Sequence, residues 1–166
     1  MRKIATLTQC SPASLYTLFP GKQQLLLYIW WEDVFAQLAD RLETCYRETA
    51  PATRLETMCL AFVDFWLSRP DDYRAIFLIE DPLPAEGGGH FVESPVAVRC
   101  LDLFRSAIAE AQASGVLGPG DIAGKQNVLL CGMQGVTMNL ITIPEYPWGD
   151  PVVLTQTMVR GLLAGL

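Results

Sequence analysis

Residues 1–26 read MRKIATLTQCSPASLYTLFPGKQQLL. Two short runs within this stretch, 1–8 and 12–18, space their apolar residues as a helix does. Ser11 is a good N-cap, and Pro12 suits the first position of a helix because no N–H donor is needed there. A Pro-Gly pair then interrupts the chain. The stretch therefore predicts two short helices joined by a tight turn.

The two predicted helices have distinct inward and outward faces. The residues expected to face inward are Ile4, Ala5, Cys10, Leu15 and Leu18. The second helix would direct Ser14, Tyr16 and Thr17 outward, which offers two small hydroxyls and one aromatic ring to a DNA groove. This arrangement indicates a helix-turn-helix. The alternative is an αα-corner with no role in DNA binding.

Helical periodicity continues through the rest of the chain, and no run alternates apolar and polar residues for long enough to indicate a strand. Further helices are predicted at 22–47, 52–69, from Pro70 onward, and at 94–114, 121–143 and 150–165. Residues 81–93, with two prolines and three successive glycines, are predicted to form a loop. The predicted fold class is all-α, with a helix-turn-helix part at 1–24 and a larger helical domain at 25–166.

The charges are distributed unevenly along the chain. The 166 residues have a net charge of -6, which by itself argues against nucleic-acid binding. Residues 1–31, however, contain Arg2, Lys3 and Lys22 and no acid, whereas residues 32–166 contain nine basic and 18 acidic residues, a net charge of -9. A basic end on an acidic body indicates a local anion-binding surface, and the acidic body would discourage indiscriminate binding to DNA.

The sequence has no pattern that indicates a catalytic or metal centre. The five cysteines are Cys10, Cys45, Cys59, Cys100 and Cys131. They form no CxxC pair, so we expect reduced, partly buried thiols in a cytoplasmic protein. The single histidine, His90, lies in the predicted loop. The uncharged run at 126–144 contains several polar residues and is better explained by a buried helix than by a membrane span. We therefore expect no enzyme, cofactor, metal or membrane contact.

The N-terminal stretch resembles a known family signature. RKIA at residues 2–5, then SPASLY at 11–16, then F-P-x-K before an apolar helix is similar to the signature of the tetracycline-repressor (TetR) family of bacterial transcription regulators. This resemblance covers residues 2–26. A second tract, 69–77, is similar to the P-x-x-Y-R-x-x-F pattern of many ligand-binding domains in the family. The resemblance implies an all-helical protein with an N-terminal DNA-reading element and a small-molecule pocket behind it.

The resemblance implies that seven residues contact DNA. They are Arg2, Pro12, Ala13, Ser14, Tyr16, Thr17 and Lys22. The resemblance implies that the helix from Pro12 lies in the major groove with its small residues on base edges, while Tyr16 and Lys22 reach phosphates and Arg2 a phosphate or a guanine edge. Gln9 stands where the family usually has glycine. The family also has an earlier helix, so we expect Met1 to be an internal methionine of a longer chain; a misplaced start codon is the alternative.

The resemblance further implies ligand binding and dimerisation in residues 25–166. The residues expected to line the pocket are Met58, Phe62, Trp66, Tyr73, Phe77, Gln134 and Met138. The same residues fit an ordinary core, and the pattern does not separate the two interpretations. The last two predicted helices carry more apolar residues than a lone pair would bury, and in this family such helices form a four-helix bundle with their two-fold mates. Packing within one chain is the alternative.

The expected function is ligand-responsive repression. A homodimer joined through its last two helices would bind a double-stranded DNA operator and leave it when a small, largely apolar effector enters the pocket. One alternative is a dimeric small-molecule-binding or interaction module that has lost DNA binding. A helical enzyme is a weaker alternative, since the sequence shows no carboxylate pair, nucleophile triad or metal-ligand spacing.

Overall fold

The computed structural model describes residues 2–18, 32–78 and 94–166, and these residues form helices with no β-strand among them. The helices are α1 (Arg2–Leu7), α2 (Pro12–Leu18), α3 (Glu32–Glu48), α4 (Pro51–Leu67), α5 (Pro70–Tyr73), a π-helical segment (Arg74–Leu78), α6 (Pro95–Ala113), α7 (Ile122–Thr142) and α8 (Pro151–Gly165). The predicted all-α fold class is confirmed. The start of the helix predicted at 22–47, the proposed boundary at residue 24 and the loop predicted at 81–93 lie outside the described residues.

The turn between α1 and α2 is a Schellman motif. The amide of Cys10 donates a hydrogen bond to the carbonyl of Ala5 at 3.0 Å, and the amide of Gln9 donates to the carbonyl of Thr6 at 3.4 Å. Gln9 has a φ of 55°, the left-handed conformation that glycine adopts with the least cost. The residue that departs from the family signature therefore occupies the one described non-glycine position with positive φ.

Gln9→Gly is expected to stabilise the protein by about 1 kcal/mol, because the left-handed conformation costs an L residue about that much and costs glycine little. Urea unfolding followed by circular dichroism measures the difference. Gln9→Ala is the matched comparison, since alanine keeps the steric penalty and should show no gain. A Gln9→Gly protein less stable than the parent would contradict this explanation.

Two of the residues predicted to face inward in the helix-turn-helix, Ala5 and Cys10, can be compared with the structure. Ala5 is buried, as predicted. The prediction that Cys10 faces inward was wrong, because Cys10 is exposed. It lies in the turn beyond the end of α1, and the backbone bonds of the turn hold it at the surface, where its thiol donates to the carbonyl of Thr8 at 3.5 Å. The side chains of Ile4, Leu15 and Leu18 lie outside what the structure describes.

The main core lies where α3, α4, α6 and α7 pack together, with α8 against α4 and α7. The largest fully buried side chains are Trp66, Tyr73, Phe104, Leu38, Leu42, Met58, Ile108, Leu129, Met133, Val63 and Val159. On α3, α6 and α7 the residues of this set lie four positions apart, as helical periodicity predicts. None of the described helices has a stretch that is both long and apolar enough to cross a membrane.

Ion pairs tie α3 to its neighbours. Arg99 on α6 pairs with Asp40 at 3.0 Å and also with Glu43, both on α3. Arg41 on α3 pairs with Asp64 on α4 at 2.5 Å. Because these pairs are largely exposed to solvent, each contributes little to stability by itself.

A second polar cluster joins the ends of the same three helices. The hydroxyl of Tyr46 on α3 donates to one carboxylate oxygen of Glu110 on α6, and Arg54 on α4 donates to the other. The guanidinium of Arg54 also lies 4.6 Å from the centre of the Tyr46 ring. The hydrogen bond from Tyr46, reinforced by Arg54, holds the pKa of the Glu110 carboxyl below its ordinary value.

The lowered pKa of Glu110 predicts how stability depends on pH. Because the folded pKa lies below the unfolded one, the ionised carboxyl stabilises the fold above the unfolded pKa, and this contribution is lost as the pH falls through the folded value. Glu110→Gln should therefore have a lower free energy of unfolding than the parent at pH 7. This difference between the two proteins should narrow below about pH 4.5, the ordinary pKa of a glutamate carboxyl. Urea unfolding from pH 3 to 7 measures this, with the exposed Glu48→Gln for comparison. If the difference in unfolding free energy between Glu110→Gln and the parent does not change with pH, the lowered pKa of Glu110 is contradicted.

The helices α7 and α8 approach closely at Gly132. A Cβ added there would overlap Cδ1 of Leu162 and lie 3.1 Å from the sulfur of Met158. A Cβ at Gly135 or Gly161 would meet nothing within 4 Å. Within the chain, close helix packing therefore involves Gly132, while Gly135 and Gly161 face open space.

Candidate functional site

The exposed face of α2 is the first candidate site. The hydroxyl of Ser11 accepts a hydrogen bond from the amide of Ser14 at 3.0 Å, and Pro12 is the first helical residue, so the predicted cap is confirmed. The exposed residues on this helix are Pro12, Ala13, Ser14, Tyr16 and Thr17. All five residues of α2 that the sequence predicts to contact DNA therefore lie on an accessible surface.

The two small hydroxyls on this face are already engaged within the protein. Oγ1 of Thr17 donates to the carbonyl of Ala13 at 3.0 Å, and the hydroxyls of Ser14 and Ser11 lie 2.8 Å apart. Thr17 is thus left with its methyl group and an oxygen that can still accept a hydrogen bond. Such a side chain fits a thymine methyl or an amino group of adenine or cytosine in a major groove.

The structure describes only some of the basic residues near α2. Lys3 on α1 is exposed. The side chain of Arg2 and the whole of Lys22 lie outside the described part of the chain, and their phosphate contacts stay predictions.

A group of aromatic rings in the core, which we call the aromatic cluster, is the second candidate site. Trp66 lies at its centre, with ring centroids at 5.6 Å for Phe35, 6.3 Å for Phe62, 5.1 Å for Phe65, 5.8 Å for Tyr73 and 5.2 Å for Phe77. Four of these six were predicted as pocket residues. Phe35 and Phe65 were not, because α3 and α4 are packed on more than one side and bury a wider face than a single apolar stripe.

The two polar groups of the aromatic cluster, the hydroxyl of Tyr73 and the indole N–H of Trp66, differ in whether they have a hydrogen-bond partner among the described residues. The hydroxyl of Tyr73 donates to Oε1 of Gln134 on α7 at 2.7 Å, so these two predicted residues are in contact. Burial raises the pKa of Tyr73 to about 12, which keeps the phenol protonated as a donor. The indole Nε1 of Trp66 is buried and has no hydrogen-bond partner among the described residues. Met58, also predicted, is fully buried in the same core.

Phe77 reaches the aromatic cluster from the π-helical segment Arg74–Leu78. The sequence predicted one α-helix from Pro70, so the change of helix type is a correction. Tertiary contacts hold the segment at both ends: the guanidinium of Arg74 donates to the carbonyl of Ile141 at 2.8 Å, and Phe77 packs on Trp66. Local periodicity carries no information about such contacts, which override it.

The outward faces of α7 and α8 form the third candidate site. On α7 this face carries Val128, Cys131, Gly135 and Met138, and on α8 it carries Val153, Thr157, Gly161 and Ala164. None of these side chains is charged, and their spacing of three and four residues places each set on one side of its helix. Met138 is 42% exposed on this face, so the structure places it apart from the buried aromatic cluster with which it was predicted to act.

A surface groove of about 240 Å³ lies between the start of α4, the segment after α6 and α8. Its walls are mainly apolar, from Ala52, Leu55, Val116, Leu163 and Ala164, and an ion pair between Arg160 and Glu56 at 2.8 Å crosses its edge. The sequence did not indicate this groove, because its residues come from three distant segments. Among the described residues, no three His, Cys, Asp or Glu side chains lie together in a group that could hold a metal ion.

No protein-family model matches the sequence, and no curated protein matches it. Solved structures do resemble it. A protein of unknown function from Rhodococcus sp. RHA1 has a TM-score of 0.72 and 22% identity, over 89% of this chain and 76% of that one.

Two further structures are described as TetR-family regulators. PfmR from Thermus thermophilus has a TM-score of 0.64 and 17% identity, over 99% of this chain and 87% of that one. A regulatory protein from Rhodococcus RHA1 has a TM-score of 0.61 and 18% identity, over 98% of this chain and 83% of that one. At these identities the likeness is one of fold. The chain therefore has the all-helical fold of TetR-family transcription regulators.

Proposed function

We propose that this protein is a cytoplasmic, dimeric transcriptional repressor that binds an operator through α2 and releases it when a small, largely apolar effector binds. The observation that carries the proposal is the exposed face of α2, a capped helix presented by a tight turn. The likeness of the whole chain to the fold of known regulators supports the same conclusion.

The chemistry of α2 favours DNA as the partner. Its exposed side chains are small, apart from Tyr16, and small side chains allow a helix to lie deep in a major groove. Thr17 and Ala13 can contact thymine methyl groups, whereas Tyr16 extends far enough to donate its hydroxyl to a phosphate. Arg2 and Lys22 would add charge to the backbone contacts, which supply much of the affinity of such complexes.

The outward faces of α7 and α8 support a two-fold dimer. These faces carry exposed apolar residues, among them Val128, Met138 and Val153, which are costly to leave in water and fit a second copy of the same face. Arg160, which is also exposed on α8, pairs with Glu56 at 2.8 Å. Gly135 and Gly161 leave room for the partner helices to come near. A dimer of this kind would present its two α2 helices to successive major grooves, ~34–36 Å apart.

Contacts within the aromatic cluster link the proposed effector site to α3, and a movement of α3 would change how the α2 helices meet DNA. Phe35 lies on α3 and touches both Trp66 and Phe77, with centroids at 5.6 and 6.4 Å. A ligand that takes the place of a ring in this cluster would change the packing around Phe35, and α3 carries Phe35. A shift of α3 would alter the spacing of the two α2 helices, and a preference of ~1–3 kcal/mol for one state is enough to couple the two sites.

DNA selection followed by fluorescence anisotropy tests the proposal. The full-length chain is used to select duplexes from a random-sequence library and is also tested on the DNA upstream of its own gene. We expect a specific complex that weakens steeply with salt, since phosphate contacts release counterions. If the selected and random duplexes bind equally, the repressor proposal is wrong. Ligand binding without specific DNA binding would then favour the dimeric binding module.

Thr17→Val tests the role of α2 in reading sequence. Valine has the same shape but lacks the hydroxyl, so operator affinity should fall about 2- to 10-fold and the base preference at one position should relax. Thr44→Val on α3 is a matched control, because Thr44 is also exposed and also donates to the carbonyl four residues earlier, at 2.9 Å. Anisotropy with base-substituted operators measures both variants. Equal effects of the two substitutions would exclude a specific role for Thr17.

A further inference from the structure

We infer that the effector is a ring-sized apolar molecule with a neutral hydrogen-bond acceptor, which replaces the Phe77 ring beside Trp66 and accepts a hydrogen bond from the indole Nε1 of Trp66. This inference rests on the proposed function and names the chemistry that its ligand site would select.

The unpaired indole N–H is the first observation. Trp66 is fully buried, and its Nε1 has no hydrogen-bond partner in the part of the chain that the structure describes. Buried donors are nearly always paired, and buried tryptophans in particular usually find an acceptor. The described residues contain a direct comparison: Nε1 of Trp148, at a less buried position, donates to the carbonyl of Ile143 at 2.8 Å. Since none of the described residues accepts from the Trp66 donor, we take it as open to an acceptor from outside the protein.

The position of Phe77 is the second observation. Trp66 and Tyr73 are fully buried, whereas Phe77 is half-buried and its neighbour Leu78 is exposed. The π-helical segment therefore forms the side of the aromatic cluster nearest the solvent. Turns of this type are rare in helices and occur often at functional sites. Rotation of Phe77 away from Trp66, whose centroid is 5.2 Å distant, would open a space the size of one phenyl ring.

The surroundings favour a neutral acceptor over a carboxylate. The six rings of the aromatic cluster bear no charge, and Lys125 is the one buried charged residue among those described. The ammonium group of Lys125 already donates to the carbonyl of Leu166. The guanidinium of Arg69 lies 4.8 Å from the centre of the Phe65 ring, but it already pairs with Asp72 at 3.6 Å and donates to Oε1 of Gln37. An anion placed beside Trp66 would therefore lose its hydration without gaining an unengaged cation, whereas a ketone, ester or amide oxygen needs only the single N–H.

Binding of matched ketones and hydrocarbons to the full-length chain tests this inference. The probes are acetophenone with ethylbenzene, and benzophenone with diphenylmethane, in which each ketone oxygen has a hydrocarbon counterpart of nearly equal shape. The four tryptophans give four indole signals in a ¹H–¹⁵N spectrum of protein labelled at tryptophan. The signal of Trp66 is assigned from Trp66→Phe or, should that variant not fold, by elimination with phenylalanine at Trp30, Trp31 and Trp148.

We expect each ketone to bind at least 10-fold more tightly than its hydrocarbon and to shift the Trp66 indole proton downfield. Phe77→Ala, which leaves Trp66 intact and opens the space beforehand, should bind acetophenone more tightly than the parent does and keep the preference for the ketone. Three results would overturn the inference: equal affinities within each pair, no binding of either ketone, or a Trp66 proton already hydrogen-bonded in the free protein.

The DNA assay is read separately from the ligand assay. A ketone preference without any specific DNA complex would leave this site standing and refute the repressor proposal. A specific DNA complex with no ketone preference would refute the acceptor inference alone.

Discussion

Met138→Glu is expected to convert the protein from dimer to monomer and to weaken operator binding at least about 100-fold. Met138 lies on the outward face of α7, where the proposed interface would bury it. A buried unpaired carboxylate costs more than about 1.5 kcal/mol, and a two-fold interface contains it twice, so the combined cost of about 3 kcal/mol corresponds to two orders of magnitude. Light scattering measures the mass, and anisotropy measures operator affinity.

Val98→Glu provides the matched control. Val98 is an apolar residue with 39% exposure, close to the 42% of Met138, but it belongs to α6 and not to the two helices of the proposed interface. The Val98→Glu protein should stay dimeric and bind the operator as the parent does. A Met138→Glu protein that remains a dimer with unchanged affinity would contradict the proposed interface.

Trp66→Ala is expected to lower the free energy of unfolding by about 3–5 kcal/mol, the usual cost of removing a large aromatic side chain from a core. Five rings surround Trp66 at centroid distances of 5.1 to 6.3 Å, and all would lose their contacts with the indole. Since small domains have only about 5–15 kcal/mol of stability in total, the variant should be close to unfolding at 37 °C. Urea unfolding measures the effect.

Trp148→Ala is the comparison for this experiment. Trp148 is less buried than Trp66 and contacts the exposed Tyr146, with ring centroids 4.3 Å apart, so its removal should cost about 1 kcal/mol. Similar losses for the two tryptophans would mean that the aromatic cluster does not stabilise the core as described.

Local sequence signals predicted most of the fold, because the same short-range chemistry sets the helix ends. Ser94, Asp121 and Asp150 each accept backbone hydrogen bonds at the starts of α6, α7 and α8. Serine and aspartate are preferred at such positions, so the predicted helix starts differ from the observed ones by one residue. Ser11 does the same for α2. Three- and four-residue spacing then predicted the buried faces.

Features that depend on contacts between distant residues could not be predicted in this way. Phe35 joins the aromatic cluster only because α3 crosses α4, and the outward position of Met138 depends on which side of α7 packs on the core. The π-helical segment and the unpaired Nε1 of Trp66 likewise follow from tertiary packing. For the exposed face of α2 the situation is different. Local helix signals predicted that Ser14, Tyr16 and Thr17 face outward, the family resemblance added Pro12 and Ala13, and all five are exposed.

Hydroxyl-radical footprinting of the full-length chain on a selected duplex tests whether α2 reads a specific operator. We expect two protected patches on one face of the DNA, centred about one helical turn (~10 base pairs) apart, with loss of both in the Met138→Glu protein. Uniform, salt-sensitive protection along the duplex, or none, would contradict the claim that α2 reads a specific operator.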